Sequence, residues 1–156
     1  MKLHKEFRPL VGLWLLICLL AAVPITGCGG AASPKVDRQK AEQYVQRGED
    51  YLMEGNKKKA LAAYNKAIEI DPDCQKAFVR RGLLYDEAGR TEQAMRDFAK
   101  AIEIDPDDSY PYEQRARIYR DVYHDTAKAE AESDRAFQVR QQRRDEIQTM
   151  NRDRKR

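Results

Sequence analysis

The carboxylates most able to do chemistry in this sequence lie in two short turns. Five aspartates belong to the segments DPDC and DPDD: Asp71, Asp73, Asp105, Asp107 and Asp108. Calcium loops place oxygen ligands at alternating positions around a glycine and close with a glutamate, and neither turn has that spacing. Because Asp and Pro favour turns and helix caps, the sequence predicts structural turns here and no metal site.

Groups suited to catalysis are sparse. Beyond residue 27 the one histidine is His124, and no Cys or Ser stands in a recognisable nucleophile setting. No Gly-rich phosphate loop is present. Adjacent carboxylates such as Asp86 and Glu87 diverge on a helix, as expected of a solvated face. We therefore expect a protein that is not an enzyme, with no cofactor and no small-molecule substrate.

The cysteine with the clearest chemical context is Cys28. It follows a basic start, MKLHKEFR, and an apolar run at 10–23 that is shorter than the ~20 residues of a membrane-spanning helix. This layout is typical of a secretory signal peptide over residues 1–27. The letters ITGC at 25–28 resemble the lipobox of bacterial lipoproteins.

That resemblance implies that the thiol of Cys28 receives a diacylglyceryl group and that cleavage makes it the mature N-terminus, with palmitate-type acyl chains holding the protein on a membrane. Gly29 stands where an aspartate would imply inner-membrane retention, so the resemblance implies the outer membrane, facing the periplasm. An uncleaved signal anchor, or ordinary cleavage beside an incidental cysteine, are the alternatives. Residues 28–37 are small and polar and predict a flexible tether.

Charge in the chain is dense and nearly balanced. The sequence of 156 residues contains 29 Lys and Arg against 26 Asp and Glu. This balance does not favour nucleic acid as a partner. The Lys-, Glu-, Ala- and Arg-rich composition favours helices, and the length suits one domain.

One heptapeptide, AIEIDPD, occurs at 67–73 and again at 101–107. It ends a longer similarity, since KALAAYNKAIEIDPDC at 59–74 aligns with QAMRDFAKAIEIDPDD at 93–108. Each unit has, in order, an aromatic residue, Gly, an aromatic residue, Ala, an aromatic residue, Ala and Pro: Tyr44, Gly48, Tyr51, Ala60, Tyr64, Ala67 and Pro72, then Phe78, Gly82, Tyr85, Ala94, Phe98, Ala101 and Pro106.

This pattern, and the spacing of the two units from 67 to 101, resemble the tetratricopeptide repeat (TPR), a helix-turn-helix unit. The resemblance implies an all-α fold, a right-handed α-solenoid of about three such units over residues 38–140 with a C-terminal capping helix. The third unit is degraded: Tyr112, Ala116 and Tyr119 match its first helix, and Thr126, Ala129, Ser133 and Ala136 match its second if one residue is inserted in the turn. Residues 141–156 are predicted to form a basic helical extension.

Local sequence signals refine this prediction. The first helix should begin near Asp37. Gly48 and Ala67 are small where two helices must cross closely, while Gly55 and Gly89 suit a left-handed helix end. Asn56 and Thr91 are predicted N-caps of the second helix in each pair.

Projecting the family's groove positions onto this sequence predicts a partner-binding surface on the first helices. Its main members are Glu49, Lys76, Val79, Arg80, Leu83, Tyr110, Gln114 and Arg117; Glu42, Val45, Met53 and Glu113 complete the projection. Val79, Leu83 and Tyr110 suit apolar anchors of a peptide, and the two arginines suit a carboxylate. The Lys and Asn of the family's carboxylate clamp are replaced by Val45 and Glu49. The alternative for the charged members is an ordinary solvated face.

The C-terminal end is basic, because residues 138–156 hold seven Lys or Arg and three Asp or Glu. It suits either contact with anionic lipid or a solubilising terminus. Our leading hypothesis is a lipid-anchored scaffold that holds a protein or peptide partner at the bacterial cell envelope, as in assembly of a pilus or secretion complex. The alternative is an accessory lipoprotein of peptidoglycan or envelope enzymes whose basic tail contacts the membrane or cell wall.

Overall fold

The computed structural model describes residues 37–155. The predicted signal peptide at 1–27, Cys28 and nearly all of the predicted tether lie outside the described residues. The described part consists of six helices: α1 (Arg38–Met53), α2 (Lys57–Ile70), α3 (Gln75–Glu87), α4 (Thr91–Ile104), α5 (Ser109–Asp121) and α6 (Thr126–Asp153). They form three successive helix pairs, and each pair packs on the next through α2 with α3 and α4 with α5. The all-α helical-repeat solenoid is confirmed.

The helix starts follow the cap residues, with one correction. Asp37 caps α1 by accepting a hydrogen bond from the backbone N of Lys40, as Asn56 caps α2 by accepting one from Lys59. The prediction that Thr91 caps α4 is wrong: the cap residue is Arg90, without a side-chain bond, and Thr91 is already helical. The cap directly follows the glycine that reverses the chain, so the equivalent of Asn56 is Arg90.

Two interhelix turns use a left-handed glycine, and the third does not. Gly55 and Gly89 have φ of +74° and +70°, as their positions predicted. In the α5–α6 turn the positive φ, +52°, belongs to His124. A side chain with a Cβ strains this conformation, which is the structural consequence of the missing glycine in the degraded unit.

The aspartates of the two DPD turns fold the chain back on itself. Asp71 accepts a hydrogen bond from the backbone N of Asp73, and Asp105 accepts one from that of Asp107. Asp108 caps α5 by accepting from the backbone N of Tyr110. Within residues 37–155, no group of three or more His, Cys, Asp or Glu side chains is arranged to hold a metal ion.

Each of the first two pairs is closed by an aromatic ring lying against a glycine. A Cβ built on Gly48 would stand 2.4 Å from the ring of Tyr64, and one on Gly82 would stand 2.9 Å from the ring of Phe98. Both rings are fully buried, as is Ala67. Burial raises the pKa of Tyr64 to about 12, so its hydroxyl stays protonated at any physiological pH.

The third pair has a longer second helix. Tyr112 of α5 packs on Ala136 and Val139 of α6. The predicted boundary between residues 140 and 141 falls inside one continuous helix, which ends at Asp153. Residues 142–155 are all exposed. None of the described helices is long and apolar enough to cross a membrane.

Candidate binding groove

The first helix of each pair contributes one wall of a shared groove. The first two walls, α1 and α3, enclose a cavity of about 530 Å³ that is completed by Tyr110 and Asp108 at the start of α5. The α1 wall consists of Glu42, Val45, Gln46 and Glu49. The α3 wall consists of Gln75, Lys76, Val79 and Arg80. We call these ten residues the groove.

Five of the eight principal residues predicted from sequence lie in this groove: Glu49, Lys76, Val79, Arg80 and Tyr110. The other three lie outside it. Leu83 is half-buried and packs between the second and third repeats, against the cluster formed by Ala94, Phe98 and Ile118. Gln114 and Arg117 lie further along α5, where Arg117 donates hydrogen bonds to Gln114 and pairs with Asp86 of α3.

Sequence reasoning missed three groove residues, and the geometry explains why. Gln46 lies four residues after Glu42 on the same side of α1, and it aligns with Arg80 of the second repeat, so the repeat alignment was the available signal for it. Gln75 and Asp108 each lie beside a DPD turn, in successive repeats, and the Nε2 of Gln75 donates to an oxygen of Asp108 at 2.6 Å. In the repeat alignment Asp108 lies over Cys74, the residue before Gln75. Stacked repeats bring such neighbouring positions together, and this was the available signal.

Ion pairs between successive repeats run along the groove. The Nζ of Lys76 lies 2.5 Å from Glu42, and the guanidinium of Arg80 lies 2.6 Å from Glu49. In both pairs the acid belongs to α1 and the base to α3. The hydrogen bond and charge of Lys76 hold the pKa of Glu42 below its ordinary value. Each of these two cations is therefore paired with an acid of the groove, and a carboxylate on a ligand would compete with that acid.

Between these ion pairs lie apolar side chains. Val45 and Val79 are nearly buried in the groove floor, while Tyr110 is 40% exposed at one end. Apolar floor and polar rim are the features that peptide-binding clefts combine: the floor gains from burying an apolar anchor, and the rim fixes its orientation. The geometry suits an extended or helical segment with an apolar side chain directed at the two valines.

Cys74 and His124 are the only cysteine and the only histidine in residues 37–155. Cys74 is a free thiol, half-buried at the start of α3, and burial raises its pKa, so the unreactive thiol form predominates at neutral pH. His124 is exposed in the α5–α6 turn. Neither residue belongs to the groove.

The decisive comparison is with protein families. The family model of the tetratricopeptide repeat matches residues 41–74 and 76–108. These residues are two tetratricopeptide repeats. The match covers the first two helix pairs, and the α5–α6 pair extends the TPR stack without matching the family model itself, in keeping with its missing turn glycine.

Solved structures show the same fold. A crystal structure of MamA is 24% identical, with a TM-score of 0.65; the alignment covers 70% of this chain and 63% of MamA, so this chain spans less than two thirds of that protein. The second TPR of Spaghetti (RPAP3), bound to the HSP90 peptide SRMEEVD, is 22% identical over 65% of this chain and 94% of that one, with a TM-score of 0.60. A search of curated proteins finds no match.

Stacked TPR units expose a concave binding surface, and the groove lies on the helices that form it. Among similar structures, the Spaghetti TPR is bound to a peptide whose sequence, SRMEEVD, is rich in acidic residues. In this chain two cations of the groove, Lys76 and Arg80, are paired with acids of the groove itself. The comparison with these structures therefore shows a shared fold.

Proposed function

We propose that this protein is a lipid-anchored TPR scaffold that holds a partner protein at the bacterial cell envelope, in the assembly of a pilus or secretion complex. The observation that carries the proposal is the groove, with its nearly buried valine floor and its ion-paired rims. An apolar floor in a repeat stack suits a segment of another protein. A few buried side chains of that segment can supply most of the binding energy.

The anchoring half of the proposal rests on Cys28. The support is the lipobox-like ITGC at the end of a signal-like segment. Acyl chains on Cys28 would place the groove near a membrane surface, because few residues separate this cysteine from α1. We expect the wild type to incorporate a labelled fatty acid and to fractionate with membranes. Cys28→Ser should incorporate no label and lose the stable anchor; unchanged labelling would refute lipidation at this residue.

The binding half is tested by a pair of matched double variants in cells that make the protein. Arg80→Glu/Tyr110→Ala changes two groove side chains, and Arg96→Glu/Tyr123→Ala makes the same chemical changes at positions outside the groove. Chemical crosslinking and affinity capture, followed by mass spectrometry, should recover the same partner with the wild type and the control.

The groove variant should lose that partner while keeping the helical circular dichroism and the unfolding midpoint of the control. A partner that stays bound to the groove variant, or that is lost from both variants equally, would show that binding does not depend on the groove. Leu83→Glu is a poor probe, because Leu83 packs between repeats and its substitution would disturb the fold.

A further inference from the structure

We propose that the free end of α6 lies on an anionic membrane surface through one basic and apolar face. The face consists of Arg140, Arg143, Arg144, Ile147, Met150 and Arg154, and we call it the α6 face. Its members recur at intervals of three and four residues, so they lie on one side of the helix. The inference is independent of the proposed groove function, and its test uses neither Cys28 nor the groove.

The apolar part of the α6 face continues the stripe that packs α6 on α5. Ala136 is buried in that contact, and Ile147 follows it by about three turns. Ile147 and Met150 are 53% and 64% exposed, because α6 has passed the beginning of α5 at that point. Within the described residues nothing covers them. The apolar stripe of α6 therefore packs on α5 near Ala136 and is exposed at Ile147 and Met150.

Charge is segregated around this part of the helix. The α6 face carries four arginines and no acid; Asp145 lies on another side of the helix, whereas Glu146 and Asp153 border the face beside Met150. Arg140 pairs with Glu113 of α5. Arg143, Arg144 and Arg154 form no ion pair among residues 37–155, in contrast to Lys76 and Arg80 in the groove.

These properties favour a membrane over a protein as the occupant. A standard protein interface buries about 800 Å² on each partner, over roughly 20 to 30 residues. The exposed end of α6 offers only two large apolar side chains, Ile147 and Met150. Shallow insertion of a few apolar side chains, with arginines at the level of the lipid phosphates, is how amphipathic helices bind anionic interfaces. The positive charges of the unpaired arginines are complementary to the negative charge of that surface.

The first test measures binding of the fragment 34–156, which is a compact unit that contains all four hydrophobic clusters. It is mixed with vesicles of phosphatidylcholine, alone or with phosphatidylglycerol, and bound protein is separated by flotation. We expect binding only to the anionic vesicles. Arg143→Ser/Arg144→Ser should weaken it roughly 30-fold, since each cation near the surface contributes roughly fivefold.

A matched control, Lys58→Ser/Arg96→Ser, removes the same charge from exposed positions on α2 and α4. It should lose less than about threefold, because charges far from the surface are screened. Failure of the wild-type fragment to bind anionic vesicles would overturn the proposal. An equal loss of vesicle binding in both variants would overturn it as well. Capture of an acidic protein by the α6 face without vesicle binding would overturn it as well.

The second test reports which side of α6 meets the lipid. The one tryptophan of the sequence is Trp14, so fragment 34–156 has none, and a single introduced indole is a clean reporter. Ile147→Trp should show a blue shift in fluorescence on adding anionic vesicles, whereas Thr149→Trp, on another side of the helix, should show none. Equal shifts at the two positions would contradict the orientation, and no shift at Ile147→Trp would overturn the proposal.

Discussion

At the scale of single residues, two kinds of glycine support the fold by different means. Gly48 and Gly82 lie inside helices, where the absence of a side chain lets the rings of Tyr64 and Phe98 approach the backbone. Gly55 lies in a turn with φ of +74°, and no atom lies within 4 Å of the place where a Cβ would stand, so it is needed for its conformation alone. Replacement by alanine should therefore lower the free energy of unfolding for a different reason at each kind of glycine.

Gly48→Ala should lower the free energy of unfolding by about 1 to 3 kcal/mol, even though Ala favours a helix, because the added methyl group meets Tyr64. Gly55→Ala should cost about 1 kcal/mol through backbone strain. Urea denaturation measures both. Combining each with Tyr64→Leu separates the mechanisms: the smaller side chain should reduce the cost of Gly48→Ala and leave that of Gly55→Ala unchanged. An unchanged cost at Gly48 would disprove the steric account.

Residue patterns predicted the parts of the structure that depend on local geometry. The left-handed glycines, the cap at Asn56 and the close helix crossing at Gly48 follow from what each residue type allows, and all are present. The cap at Thr91 was wrong, because the glycine position and not side-chain preference decides where α4 begins. The pairing of Arg80 with Glu49 depends on how two repeats stack, and a projection of single helices does not contain that information.

At the scale of elements, the α5–α6 pair contains a largely buried ion pair. The guanidinium of Arg115 lies 2.8 Å from Glu132, and their side chains are only 22% and 16% exposed. The Nε of Arg115 is buried without a hydrogen-bond partner among the described residues. Burial raises the pKa of Glu132 above its ordinary 4.5, with Arg115 opposing the shift. The charged carboxylate is therefore less favourable in the folded protein than in water.

This shift sets the sign of a pH effect. Because the folded state holds the Glu132 proton more tightly than the unfolded state, stability should fall as the pH rises from near 4.5 through the raised pKa. We expect the free energy of unfolding of the wild type, measured relative to Glu132→Gln, to decrease over that range and then level off. A relative stability that rises with pH would mean that Arg115 outweighs burial and that the pKa is lowered instead.

The end of α6 should contribute little to the stability of the repeats. Residues 142–155 are exposed, and the buried residues of α6 are Ala129, Ala136 and Val139, earlier in the helix. A chain that ends at Gln141 should therefore unfold within about 1 kcal/mol of the full chain, in line with substitutions at exposed sites. It should also keep its groove partner. A large loss of stability would show that the extension packs on the repeats, which would also remove the basis for a free α6 face.

At the scale of the whole molecule, the two proposed binding surfaces are separated along the chain. The groove lies mainly on the first helices of the first two pairs, and the α6 face lies at the other end of the described chain. The repeat family and the helix pairs follow from a pattern of small and aromatic residues, so sequence alone predicted them. The identity of a partner depends on the arrangement of a few side chains within the groove, which helix periodicity does not determine.

The most direct test of the central claim is site-specific photocrosslinking in living cells. A photoreactive amino acid replaces Tyr110, which is 40% exposed in the groove, or Tyr123, which is 43% exposed outside it. The account predicts that the probe at position 110 crosslinks one defined protein and that the probe at position 123 does not. Crosslinking of that protein from position 123 and not from position 110 would contradict the assignment of the groove as the binding surface.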